Sequence, residues 1–171
     1  MTSYQDLFGI GEAFETFVAR GLPAEVDTVR RFQRQLAETD AISSATLERL
    51  RAVRGRFHLL AAGEMWCPDC QINLTVMDYL RRTQPTIELS VITKSRAEHA
   101  LKDRLALERI SIPFVLVLDE AFQPLGRFVE SPQSVVKGGD AVKADYRAGR
   151  YLESTVLDML AIFEDAHIPM A

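Results

Sequence analysis

The hydrophobic period of this chain changes at residue 56, and that change limits the folds open to it more than any other feature. Before it, apolar residues recur every three or four positions. Leu7, Ile10, Phe14 and Phe17 form one stripe, and Val26, Val29, Phe32 and Leu36 form a second. Such spacing marks amphipathic helices, each with one face that needs cover. Gly21-Leu22-Pro23 separates the two, with Pro23 in the first turn of the second helix, where its missing N–H costs no hydrogen bond. A third, shorter helix is expected to carry Leu47, Leu50 and Val53 after Ser43 or Ser44 as N-cap, with Gly55 closing it.

Beyond residue 56 the pattern alternates between strand and helix. Phe57-His58-Leu59-Leu60-Ala61-Ala62 is a nearly continuous apolar run, as a strand covered on both faces requires. After Gly63-Glu64-Met65-Trp66-Cys67-Pro68-Asp69-Cys70 comes a helix with Ile72, Val76, Tyr79 and Leu80 as its apolar positions, stopped at Gln84-Pro85. Ile87, Leu89 and Val91 alternate as a second strand. Ser95-Arg96-Ala97-Glu98 reads as a capping box opening a helix that carries Ala97, Leu101 and Leu105. Phe114-Val115-Leu116-Val117-Leu118 is a buried strand, 119–124 a turn, and 125–129 the returning strand. Residues 131–149 hold Pro132, Gly138-Gly139 and Gly149 and read as loop with room for one helical turn. A last helix uses Leu152, Val156, Met159, Leu160 and Phe163.

The expected architecture is therefore α/β: a central mixed sheet of about four strands with helices on both faces, in the order β-α-β-α-β-β-α over residues 56–171. Residues 1–55 form a three-helix N-terminal extension. Its stripes could pack over a sheet face, take the place of a strand, or supply a dimer or partner surface.

Composition narrows the function. With 171 residues, 47% of them hydrophobic, the chain can bury a core without staples. No apolar run is long enough to span a bilayer, and residues 1–7 lack the basic-then-apolar pattern of a secretory signal. Twenty Lys+Arg against 24 Asp+Glu give a net charge of −4, with no basic excess to displace counterions from phosphates. Neither nucleic acid nor membrane is expected as a partner, and the cytoplasm is the expected compartment. Gly9-Ile10-Gly11 follows no strand and has Phe14 where a dinucleotide loop needs its third glycine. Arg30, Arg31 and Arg34 read as the wet face of the second helix. Lys137, Lys143, Arg147 and Arg150, interspersed with Asp140 and Asp145, read as a solvated segment. His99 reads as an exposed helix residue and His167 as part of the tail.

The two cysteines carry the chemistry. Cys67 and Cys70 sit three residues apart where a strand hands over to a helix. The first N–H groups of a helix lack intrahelical partners and carry partial positive charge, which favours a thiolate at Cys67. The thiolate is the attacking species in disulfide exchange. Pro68 suits the first helical position, and Cys70, one turn inside, is close enough to form a disulfide and less exposed. A structural zinc site wants four ligands, but the chain has no further cysteine, and His58, His99 and His167 show no ligand spacing. Ile112-Pro113 precedes an apolar strand. It is either an ordinary trans proline at a strand's first residue or a cis bond beside the dithiol.

Trp66-Cys67-Pro68-Asp69-Cys70, with Ile112-Pro113 following ahead of a strand and hairpin, resembles the thioredoxin superfamily, and in particular thioredoxin-related proteins with a Trp-Cys-Pro-Asp-Cys motif. The match covers residues 56–131 and extends to the last helix. The resemblance implies Cys67 as nucleophile and Cys70 as resolving thiol. It makes Pro113 the cis-proline, Ile112 a source of backbone for substrate pairing, and Trp66 an aromatic shoulder of a substrate site that also includes Pro68 and Asp69. Two departures stand out. Thioredoxins usually carry Gly-Pro between the cysteines, whereas Asp69 here sets a carboxylate beside the thiolate and is expected to make Cys67 less acidic. The family's buried acid, six positions before the nucleophile, is Ala61, leaving His58, Glu64 or water to move the Cys70 proton.

The resemblance implies a protein-disulfide reductase that needs no cofactor of its own. Its substrates would be disulfide-bearing proteins or small molecules, and its electrons would come from a separate reductase or a low-molecular-weight thiol. A competing reading is a non-catalytic interaction module or redox sensor that binds through its helical extension. A thiol peroxidase is a third, although the two-residue gap suits disulfide exchange better.

Overall fold

A computed structural model describes residues 2–166 of the chain. The strand predicted first, β1 (Phe57–Ala62), is buried along its whole length. It is central: it pairs in parallel with β2 (Ile87–Ile92) and antiparallel with β3 (Phe114–Leu118), which in turn pairs antiparallel with β4 (Pro124–Val129). The sheet order is β2-β1-β3-β4. In register, Ala61 faces Val91 on one side and Val115 on the other, so the strand that leads to the cysteines is held by two neighbours almost to its end. The fold class is as expected.

Successive side chains of β1 point to opposite faces, and both faces are covered. Phe57 meets Phe163 of α9 (Leu152–Asp165) with ring centroids 4.7 Å apart. Its neighbour His58 lies against Phe8 of α1 (Tyr4–Ile10) and stacks on Phe122 at 4.0 Å. Helix α5 (Pro68–Thr83) carries the apolar residues expected of it: Ile72, Val76 and Leu80 are buried, and Tyr79 is partly so. One continuous apolar core includes Leu7, Phe14, Phe32 and Leu50 from the N-terminal helices together with the strands, α5 and α9.

The N-terminal segment differs from expectation in one place. The stripe from Leu7 to Phe17 is two helices, α1 and α2 (Phe14–Val18), and the three-helix extension is therefore four, with α3 (Pro23–Leu36) and α4 (Ser44–Arg51) following. The break at residues 11–13 lets Glu12 form a two-way backbone bridge with Val91 on the outer edge of β2, at 2.8 and 2.9 Å. Gly11 permits it. A Cβ there would lie 2.0 Å from Ser90 Oγ. The segment thus covers a sheet face with α1 and blunts the sheet edge with Glu12. Ile10, expected in the stripe, is exposed because the chain turns toward the edge at that point.

Two further differences are local. The helix after β2 is α6 (Lys94–Ala100), and its N-cap is Thr93, whose hydroxyl accepts from Arg96 N–H; the Ser95 capping box is not used. Residues 131–149 are largely helical, forming α7 (Gln133–Gly138), a 3-10 turn (Gly139–Val142) and α8 (Lys143–Arg147). Ser43 is the N-cap of α4. His99 is exposed, and His167 lies outside the described residues.

Candidate active site

Cys67 is the N-cap of α5, and Pro68 occupies the first helical position. The loop leading to it is held from two sides. Cys67 N–H donates to Glu64 O at 3.2 Å, and the buried Gln71 side chain donates to Met65 O at 2.6 Å. Gln71 carries no signal in the sequence; lying four residues into the helix, it anchors the turn that presents the nucleophile. Cys67 retains 7% of its surface, Cys70 none, while Trp66 beside them is 60% exposed. Both cysteines are free thiols.

Across the cleft, Ile112-Pro113 is a cis peptide bond. The Cys67 thiol lies 3.7 Å from Ile112 O and donates to it. Ile112 precedes β3 and takes no part in its ladder. Trp66, Cys67, Pro68, Asp69, Cys70, Ile112 and Pro113 therefore gather at one end of the sheet, where β1 ends and β3 begins.

The two thiols ionise very differently. Cys67 is lowered to about 7, chiefly by the Cys70 thiol donating to its sulfur, against the opposing cost of burial and the repulsion of the Asp69 carboxylate. Cys70 is pushed far up, first by burial, then by the hydrogen bond that its proton makes to the Cys67 sulfur and by the negative charge there. The sign of the pH dependence follows. Alkylation of Cys67 in the reduced protein is expected to be slow in acid, rise through a midpoint near pH 7, and level off above it. Iodoacetamide kinetics across pH measure this; a midpoint at the ordinary thiol value of about 8.5 contradicts it.

Gly63 packs where the resolving thiol needs space. A Cβ there would meet Leu74 Cδ1 at 2.6 Å and Cys70 Sγ at 3.3 Å. Leu74 is fully buried, so Gly63→Ala should overpack the site and destabilise the fold by about 1–3 kcal/mol. Thermal denaturation checks this, with no change in Tm as the contrary result.

Neither side chain expected to carry the proton is free beside Cys70. His58 sits toward the other end of β1, its Nδ1 2.9 Å from Asp119 O and its Nε2 3.0 Å from Glu88. The Glu64 carboxylate accepts from Lys94 N–H at the start of α6. Ala61 is fully buried in β1.

Sequence reasoning missed a polar network behind Asp69. Asn73, fully buried, is one turn on from Asp69. Its amide nitrogen lies 3.0 Å from Asp69 O, 3.0 Å from Glu130 O and 2.8 Å from the Tyr146 hydroxyl. Thr155 Oγ1 donates to Asn73 Oδ1 at 2.7 Å, and the Tyr146 hydroxyl donates to Asp69 Oδ1 at 2.7 Å. Arg147 lies 3.8 Å from the same carboxylate oxygen. Glu130, with φ of +65°, links this network to the opposite wall: its N–H donates to Pro113 O at 2.8 Å. The only signals in the sequence are a polar residue at each end of one helical turn and a lone tyrosine among charges.

Among the described residues, no group of three or more His, Cys, Asp or Glu side chains is placed to hold a metal ion, and no helix is long and apolar enough to cross a membrane.

A parallel strand pair with a connecting helix, a hairpin returning beside it, a dithiol on the helix N-terminus and a cis-proline opposite define a thioredoxin-like protein. The thioredoxin family profile matches residues 11–143, and the chain belongs to that family. Among solved structures, it is similar to a protein of unknown function from Pseudomonas aeruginosa, with 55% identity over 97% of this chain and 99% of that one and a TM-score of 0.94. It is also similar to an HIV epitope-scaffold, with 53% identity over 95% of this chain and 98% of that one and a TM-score of 0.92. No curated protein matches the chain.

Proposed function

We propose that this chain is a thiol–disulfide oxidoreductase that works as a protein-disulfide reductase. The observation that carries the reading is the placement of Cys67 Sγ at the N-terminus of a 16-residue helix that carries Cys70 within its first turn, and 3.7 Å from the carbonyl of Ile112. The Cys67 thiolate attacks one sulfur of a substrate disulfide. That S–S bond breaks, a Cys67–substrate disulfide forms, and the departing thiolate takes a proton from solvent. Cys67 is then neutral, so the charge that suppressed ionisation of Cys70 has gone. Cys70 loses its proton and attacks Cys67 Sγ. The mixed disulfide breaks, the Cys67–Cys70 disulfide forms, and the second substrate thiolate leaves and is protonated. Two electrons have passed from protein to substrate, and the two protons that the substrate thiols take up balance those released by Cys67 on ionising and by Cys70.

Trp66 and Pro68 offer an exposed apolar shoulder on which a substrate polypeptide rests, and the Ile112 backbone gives an extended segment N–H and C=O groups to pair with. Re-reduction falls to a low-molecular-weight thiol or a separate reductase, and the cytoplasm is the compartment whose redox poise favours this direction. Reduction of insulin disulfides with a chemical reductant tests the reading. Catalysed turnover supports it. A redox-dependent complex without turnover would instead point to an interaction module.

A further inference from the structure

Three of the hydrogen bonds behind Asp69 run head to tail. Thr155 donates to Asn73 through its hydroxyl, Asn73 donates to Tyr146 through its amide, and Tyr146 donates to Asp69. Three of the four are buried, and hydrogen bonds aligned head to tail polarise one another, so the last donor is strengthened by those behind it. That last bond ends on the one carboxylate placed between the two cysteines. Tyr146 itself is 3% exposed, and its hydroxyl is held far above the ordinary phenol range, first by burial and then by the carboxylate it faces, so it stays a proton donor.

We infer that Tyr146 is a positioning residue of the dithiol: its hydroxyl fixes the Asp69 carboxylate and draws off part of its charge, so that Cys67 ionises beside a muted neighbour. Asp69 favours the positive end of α5 but repels a thiolate at Cys67, and the chain of donors that runs from α9 through Asn73 to α8 offsets that repulsion. The charged and titratable groups around the site are few. Asp69 is faced by Tyr146 and Arg147 from α8 and by Cys70 on its own helix, and Cys67 is faced by Cys70 and Asp69. Arg147 at 3.8 Å adds charge but no close hydrogen bond. The segment between β4 and α9 thereby gains a role, since it carries the donor to the back of the active-site turn.

This inference deepens the oxidoreductase reading. Its test needs no disulfide substrate, so the two can fail separately. The pH midpoint of Cys67 alkylation by iodoacetamide is measured in the reduced wild type, Tyr146→Phe, Asp69→Asn and the double variant. Tyr146→Phe should move the midpoint up and slow alkylation at pH 6 by roughly two- to fivefold, the effect of one charge-assisted hydrogen bond felt at a neighbouring group. Asp69→Asn should move it down, and the double variant should match Asp69→Asn alone. Thr155→Val, which removes the first donor and keeps its shape, should act in the direction of Tyr146→Phe but more weakly. An unchanged midpoint in Tyr146→Phe, or in Thr155→Val if the first variant does not fold, overturns the inference. So does an equal shift in both Asp69 backgrounds, which is what a merely structural loss produces.

Discussion

Cys67→Ser is expected to reduce the rate of protein-disulfide reduction to that of the chemical reductant alone, while Cys70→Ser should accumulate a covalent protein–substrate adduct. The asymmetry comes from where the two sulfurs sit. Cys67, lowered to about 7, is substantially thiolate at neutral pH and keeps a reachable edge beside the exposed Trp66. A serine hydroxyl there supplies no comparable nucleophile. Cys70 cannot substitute, because it is fully buried and its ionisation is suppressed by that burial. With Ser at position 70, the first exchange still proceeds, since a hydroxyl can also donate to the Cys67 sulfur. The mixed disulfide then has no internal thiol to resolve it. Intact-mass measurement after exposure to a disulfide substrate reads both outcomes. Full activity in Cys67→Ser, or no adduct in Cys70→Ser, would remove the assigned roles.

Asn73→Ala should be the most damaging single polar substitution near the site. Its side chain lies wholly inside the protein and joins four groups from four different places: the α5 backbone, the end of β4, α8 and α9. Truncation leaves the Glu130 carbonyl without this donor and Thr155 Oγ1 without this acceptor, and it opens a hole in a closely packed region. The unmade hydrogen bonds put the cost at about 2–4 kcal/mol. For a chain of this length that corresponds to a fall in Tm of roughly 5–15 °C. The loss should extend to function, because the same amide supports both Tyr146 and the loop that faces Pro113. A Tm within about 2 °C of wild type would show that the network carries little of the stability assigned to it.

What the sequence disclosed, and what it withheld, follows from the range over which each signal acts. The handover from β1 to α5 was legible because it is local: an apolar run ends at Ala62, and Pro68 can only open a helix. Ile112-Pro113 could be placed opposite the dithiol through the family resemblance, yet its isomer could not be chosen from residue types alone; the structure has it cis. The break at residues 11–13 was hidden because the apolar spacing runs on unbroken from Leu7 to Phe17, and only the nearness of Ser90 explains why glycine stands at 11. Thr93 displaced Ser95 as cap because α6 begins directly at the end of β2. Residues 131–149 read as solvated loop because their glycines and alternating charges mask three short helical pieces, each too brief to show a period. Tyr146 was lost with them. It meets Asp69 across 77 residues of sequence, and no local pattern reports a contact of that separation.

The most direct trial is to mix reduced wild-type protein with excess of a small-molecule disulfide and map its peptides. Transfer of electrons through Cys67 and Cys70 requires a product lighter by two hydrogens, with those two residues joined to each other and the small molecule released as thiols. Recovery of both cysteines as free thiols, or of a lasting adduct on Cys67 with Cys70 untouched, would mean that this pair does not carry disulfide exchange.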